Sequence, residues 1–293
     1  MKLIRQLSCH LRLMRPHHYV KNLFILLPLF FGHHLLDPER WLIALNAFAA
    51  FSLTASAVYI LNDWNDAADD RRHPEKRHRP LAAGTVTPVA AGIQSGLLLI
   101  FGLLWAFSLG PSVGGLILLY LAINLAYTFG LKHIALIDVT MIALGFVIRL
   151  FVGAVATGIP LSHWIILMTF LLALFLAFAK RRDDVIRFEA GQGRLRRAVD
   201  GYNRPFLDTA MGIMGAVIIV TYLLYALSEE VIARTGPYLY LTSFFVILGV
   251  LRYLQITFVF KHSGNPTGVL FRDRFIQGTL TGWILGCLWV LYG

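Results

Sequence analysis

Nine apolar runs leave this chain little choice of solvent: residues 23–36, 41–61, 89–109, 111–130, 135–157, 162–179, 209–227, 237–258 and 275–292. Most are close to the roughly 20 residues that a helix needs to cross a hydrocarbon core about 30 Å thick. The pattern predicts an all-α, polytopic membrane bundle with about nine transmembrane helices. The first run is short and carries Pro28, a kink that neighbouring helices in a bundle tolerate. Gly110-Pro111 marks a tight break between the third and fourth runs. Composition agrees: 57% of the 293 residues are hydrophobic and only 14% charged, against about 25% charged in soluble domains.

Charge orients the bundle. With nine spans, one side of the membrane receives the amino-terminal tail and the stretches 62–88, 130–134, 180–208 and 252–274, which together hold 23 of the 26 Lys and Arg residues. The other side holds Arg40 and Arg234, and Arg149 lies within a span. The positive-inside rule makes the rich side cytoplasmic and puts the carboxyl terminus outside. The net charge of +10 therefore reports topology and anionic headgroups, and no nucleic acid partner is expected. Residues 1–19 read as a basic amphipathic lead-in without the small-residue cleavage site of a signal peptide. Cys9 and Cys287, at opposite ends, suggest neither a disulfide framework nor a metal site. A homo-oligomer is left open.

The chemistry concentrates in residues 59–84, directly after the second run. Four aspartates fall within eight positions. On a helix at about 100° per residue, Asp63, Asp66 and Asp70 share an arc of roughly 60°, with Asn62 at its edge. The first and last are about 10 Å apart along the axis at 1.5 Å per residue. Carboxylates so close repel and call for a compensating cation. Oxygen ligands without nearby Cys point to a hard ion, Mg²⁺ first, and Mg²⁺ prefers one or two carboxylates completed by substrate phosphates. The bland alternative is a solvated polar loop between two helices. Arg71, Arg72, Lys76, Arg77 and Arg79 follow, interleaved with His73-Pro74 and Arg79-Pro80, as in a loop built to hold a charged ligand.

Three further polar groups stand out. Tyr127, Lys132, Asp138 and Arg149 form one; the last two lie in apolar sequence, where an ionisable side chain usually faces an interior cavity. They share a helix face but are about 16 Å apart, too far for a direct pair on an unbroken helix. Lys180-Arg181-Arg182-Asp183-Asp184 closes the sixth run, where cations suit a lipid phosphate or simple topology. Arg272-Asp273-Arg274 opens the last run.

The Asn62-Asp63-x-x-Asp66-x-x-x-Asp70 motif, nine spans and a second polar cluster resemble the UbiA-type superfamily of intramembrane prenyltransferases. Four stretches resemble, more narrowly, its decaprenyl-phosphate phosphoribosyltransferase branch: Arg15-Pro16-x-x-Tyr19-Val20-Lys21-Asn22, His73-Pro74-x-Lys76-x-x-Arg79-Pro80, Phe178-Ala179-Lys180-Arg181-Arg182-Asp183 and Leu270-Phe271-Arg272-Asp273-Arg274. The resemblance implies a single UbiA-like transmembrane domain over residues 1–293 with its active-site loops in the cytoplasm, in a bacterial plasma membrane. It implies transfer of 5-phosphoribose from phosphoribosyl pyrophosphate to a polyprenyl phosphate, with release of pyrophosphate, for cell-envelope precursors. Asp63, Asp66 and Asp70 would then be the catalytic Mg²⁺ ligands, with Asn62 and Tyr127 among the substrate-binding residues. Lys76, Arg79, Lys132 and Arg149 are expected on the donor phosphates, and Lys180, Arg181, Arg182 and Lys21 on the lipid phosphate. One departure is informative: ordinary relatives that prenylate aromatic acceptors carry a second D-x-x-x-D motif where this chain has Lys180-Arg181-Arg182. The competing readings are such a prenyltransferase, fed by a prenyl diphosphate, and a transporter, whose polar residues would form a path rather than gather on one face.

Overall fold

The computed structural model describes residues 2–71, 76–190, 197–260 and 266–293, and of residues 2–6, 197–198 and 266–267 only the backbone. Arg72, His73 and Pro74 lie outside it. The elements in order are α1 (Lys2–Met14), a 3₁₀ segment (Pro16–Leu26), α2 (Leu27–Phe31), α3 (Pro38–Asn65) and α4 (Ala67–Asp70). Then come α5 (Pro88–Ser108), α6 (Pro111–Phe129), α7 (Ile137–Thr157), α8 (His163–Glu189), α9 (Arg204–Ala226), α10 (Glu229–Thr235), α11 (Ser243–Gln255), α12 (Pro266–Arg272) and α13 (Arg274–Tyr292). Among the described residues there is no strand.

The helix ends follow from local chemistry. Asp37, Thr87, Ser162, Asn203 and Asp273 cap α3, α5, α8, α9 and α13, each accepting a hydrogen bond from a first-turn amide. Pro38, Pro88 and Pro111 each sit in a first turn, where proline's missing N–H costs nothing. Asp273 also pairs with Arg252 of α11, Nη2 to Oδ2 2.7 Å, and that guanidinium, with its hydrogen bonds, holds the Asp273 carboxyl below the usual range. The Arg272-Asp273-Arg274 group is thus a cap and a strut.

Eight helical stretches are long and apolar enough to cross a membrane. The expected first span, 23–36, is not among them: most of its residues fall in the 3₁₀ segment and the short α2. Pro16–Phe31 runs antiparallel along α3: Tyr19 meets Ser56 (2.8 Å), Asn22 meets Ser52 (2.8 Å), and Leu29 packs with Ala44. Its eleven 3₁₀ residues and five α residues, at about 2.0 and 1.5 Å each, extend about 30 Å. A tighter helix with a longer rise thus covers more length with fewer residues. Since side chains eclipse every third residue in a 3₁₀ helix, Tyr19, Asn22 and Ile25 share the buried face.

The described residues divide into two compact units, Met1–Leu131 with Gly145–Leu161, and Lys132–Leu144 with Ser162–Gly293. In the first, α3 is the central post, with Ala44, Ala47, Ala50, Ala55 and Ala57 fully buried. Small side chains let backbones approach closely; a Cβ on Gly102 of α5 would lie 2.5 Å from the Thr54 hydroxyl. The 3₁₀ segment is clamped harder still, because a Cβ on Gly153 of α7 would lie 1.9 Å from the Ile25 carbonyl oxygen. Gly153→Ala should therefore lower stability by about 1–3 kcal/mol or more, read as a depressed melting temperature in detergent. Gly96→Ala, with open space around it, should be neutral or slightly stabilising. In the second unit α8 packs on α9, and α11 on α9 and α13, around Phe175, Leu207, Met211 and Ile218.

Candidate active site

α3 carries its polar end out of the apolar run without stopping at once. The backbone bends at Asp66 (φ −92°, ψ 1°) and resumes as α4, with the amides of Asp66 and Asp70 still bonded four residues back. The expected single acidic face is therefore largely kept. Asp63 and Asp70, two turns apart, are both buried, 2% and 4% exposed, whereas Asp66 is half-exposed, and Asn65 donates to it at 3.0 Å.

One guanidinium joins the two buried carboxylates. Arg79 Nη1 lies 2.9 Å from Asp63 Oδ1 and 2.6 Å from Asp70 Oδ2, so those oxygens are no further apart than these two distances combined. Arg15 also pairs with Asp63 Oδ1. Its backbone is left-handed (φ 53°), which turns the chain from α1 into the 3₁₀ segment. These groups line an open cavity of about 560 Å³ together with Arg12, His17 and His18. Asn62 accepts from the Thr128 hydroxyl of α6, fixing the start of the motif.

Deeper in the same unit sits Arg149, 4% exposed. It donates to Asn22 Oδ1 (2.8 Å), the Gly145 carbonyl (2.7 Å) and the Tyr120 hydroxyl (3.3 Å). Its guanidinium lies 4.8 Å from the Phe51 ring centre and 4.9 Å from that of Tyr120. Lys21 lies within electrostatic reach of Arg149, Arg15 and Tyr127. Lys76 is half-buried just after α4. The structure thus brings together Asp63, Asp70, Arg79 and Arg15, and beside them Lys21, Tyr127 and Arg149.

In the second unit the sixth-span cations have partners of their own. Arg181 and Arg182 are each 1% exposed. Arg181 pairs with Asp138 (Nε to Oδ2 2.5 Å) and Asp184 (Nη1 to Oδ2 2.5 Å). Asp138 Oδ1 accepts from the Tyr202 hydroxyl (2.6 Å), which in turn accepts from the Leu136 amide (2.7 Å), holding Leu136 in a left-handed conformation (φ 68°). Burial, with the bond to Asp138, pushes the Tyr202 phenol well up. Arg182 pairs with Asp208 and donates to the Thr257 carbonyl (2.7 Å), in a π-helical turn (Ile256–Phe260) that frees carbonyls from the helical ladder. Lys132 is buried and Lys180 exposed. Any phosphate reaching Arg181 or Arg182 must compete with carboxylates already bound.

Some of this was legible in the sequence and some was not. Asp138 does not answer to Arg149, three turns further along α7; its partner Arg181 comes from α8. Arg15 and Asn22 were visible only inside a longer motif, because no local pattern says which carboxylate a distant arginine will meet. Asp208 carried no signal at all.

The donor set suits a hard cation. Among the described residues no three His, Cys, Asp or Glu side chains converge to hold a metal alone. Two buried carboxylates held by Arg79 and Arg15, with a third at the rim, match the way Mg²⁺ is held by few carboxylates and completed by phosphate oxygens.

Known proteins match the chain in sequence and in fold. Decaprenyl-phosphate phosphoribosyltransferase of Mycolicibacterium smegmatis is 31% identical over 285 residues, covering 94% of this chain and 89% of its own. The protein of that name from Mycobacterium tuberculosis is 32% identical over 274 residues, with 92% and 90% covered. A solved UbiA homologue from Archaeoglobus fulgidus, bound to GPP and Mg²⁺, superposes with a TM-score of 0.70 at 18% identity, covering 97% of this chain and all of that one. The sequence profile of the UbiA prenyltransferase family matches residues 24–275, from the 3₁₀ crossing through the carboxylates of α3 to the cap of the last helix. This multi-pass membrane protein belongs to the UbiA prenyltransferase family.

Proposed function

We propose that the protein transfers 5-phosphoribose from phosphoribosyl pyrophosphate to a polyprenyl phosphate, releasing pyrophosphate, on the cytoplasmic face of a bacterial plasma membrane. The names of its relatives support phosphoribosyl transfer; in this reading the product feeds cell-envelope precursors. The observation that carries the choice of acceptor is the end of α8. Where a prenyl-transferring relative would present a second pair of metal-binding carboxylates, this chain buries Arg181 and Arg182 against Asp138, Asp184 and Asp208. A site neutralised from within favours a lipid monophosphate over a second metal-bound diphosphate.

Asp63, Asp66 and Asp70 would hold Mg²⁺, which when bound neutralises charge on the departing pyrophosphate. Arg15 and Arg79 keep Asp63 and Asp70 paired, and Arg forks suit phosphate oxygens equally well. Lys76 adds a donor contact in this reading, and exposed Lys180 meets the lipid phosphate. The C1–O bond breaks with its electron pair leaving on pyrophosphate, while an oxygen of the lipid phosphate supplies the pair for the new bond to C1. The acceptor is already anionic, so no protein base is needed.

The test is a reconstitution of the purified protein. Radiolabelled lipid and equimolar pyrophosphate should form only when phosphoribosyl pyrophosphate, polyprenyl phosphate and Mg²⁺ are all present. Consumption of geranyl diphosphate with an aromatic acceptor, and none of phosphoribosyl pyrophosphate, would overturn the reading.

A further inference from the structure

We infer that Lys21 and Arg149 form an anion site of their own, separate from the Asp63–Asp70 carboxylates and shaped for a phosphate monoester. On the function proposed above, which this inference extends, that monoester is the 5-phosphate of the donor. The starting point is a charge balance inside the first unit. Asp63 and Asp70 are matched by Arg15 and Arg79. Lys21 and Arg149 are left over: among the described residues neither has a carboxylate partner, and every acceptor bonded to Arg149 is neutral.

A purely structural role explains this poorly. Asn22, Gly145 and Tyr120 satisfy hydrogen bonds, and the rings of Phe51, Tyr120 and Phe146 offer their faces, but none of them removes the charge. Buried charges are paired or cost stability, and here two cations reinforce one another. The backbone points them to the same place. Lys21 comes one position before Asn22 of the buried face of the 3₁₀ segment, and Asn22 bonds Arg149 directly. The Arg149 side chain folds back onto the Gly145 carbonyl, one turn nearer the end of α7 that lies on the Asp63 side; Asn22 meets Ser52 of α3 while Ile25, further along, meets Gly153. A ligand with its diphosphate at Asp63 and Asp70 would therefore direct its far end toward Lys21 and Arg149. A prenyl diphosphate has a hydrocarbon there; a phosphoribosyl donor has a second phosphate. This pair is the feature that selects one over the other.

Calorimetry on the full-length protein in detergent tests it with three probes: ribose 5-phosphate, inorganic pyrophosphate with Mg²⁺, and phosphoribosyl pyrophosphate with Mg²⁺. Lys21→Met and Arg149→Gln should weaken ribose 5-phosphate and phosphoribosyl pyrophosphate at least tenfold and leave pyrophosphate within twofold. Lys21→Met should also leave the unliganded melting temperature unchanged or higher, because it removes a half-buried charge with no carboxylate partner among the described residues; a packing residue would lower it. Equal losses for pyrophosphate and ribose 5-phosphate, wild-type binding of all three, or a lowered melting temperature with unchanged binding would each overturn the site. If ribose 5-phosphate binding depends on both residues but no phosphoribosyl transfer occurs, the anion site stands and the proposed function falls. If transfer occurs and both variants bind ribose 5-phosphate normally, only this inference falls.

Discussion

Asp63→Asn should lower kcat by on the order of 10²–10³, the usual cost of losing a group that stabilises developing charge. KM for the donor should change less, because the stabilisation is concentrated in the transition state. Asp63 is also the shared partner of Arg15 and Arg79, so its melting temperature should fall as well. Asp66→Asn separates the two effects. Asp66 is half-exposed at a bend, so its replacement should abolish turnover with little change in melting temperature. Chelation by EDTA should reproduce the activity loss in the wild type. Full activity in both variants, or in EDTA, would sink the assignment of these carboxylates.

Arg181→Met should be among the most destabilising single changes in the second unit. It strands Asp138, which is fully buried, and breaking one side of a buried ion pair costs about 3–5 kcal/mol. Adding Asp138→Leu should restore much of the loss, since a buried pair replaced by apolar side chains is often neutral or better. Tyr202→Phe should cost about 1–3 kcal/mol, because it removes a donor to Asp138 and unpairs the Leu136 amide. Thermal unfolding in detergent reads all three. If Arg181→Met instead melts like the wild type and raises KM for polyprenyl phosphate, Arg181 faces the lipid, as its place in the sequence suggests.

Hydropathy alone established an all-helical membrane protein, because the length of an apolar run is set by bilayer thickness and needs no neighbour to be understood. The acidic motif was legible for a similar reason. Asp63, Asp66 and Asp70 are neighbours on one stretch of helix, and helical geometry fixes their relative placement before anything packs. The caps at Asp37, Thr87 and Ser162 are equally local, because a cap bonds only its own first turn. The first apolar run was not readable as it is: most of its residues belong to a 3₁₀ segment continued by α2, and α3 and Gly153 grip that segment at Tyr19, Asn22 and Ile25. Pairing of charges was likewise decided by tertiary structure. A Coulomb interaction is blind to sequence separation, so Arg15 reaches Asp63 across 48 residues and Asp138 turns to Arg181 rather than to Arg149 on its own helix. Two cations beside those carboxylates, Lys21 and Arg149, have no carboxylate partner among the described residues, and that too shows only in the folded chain.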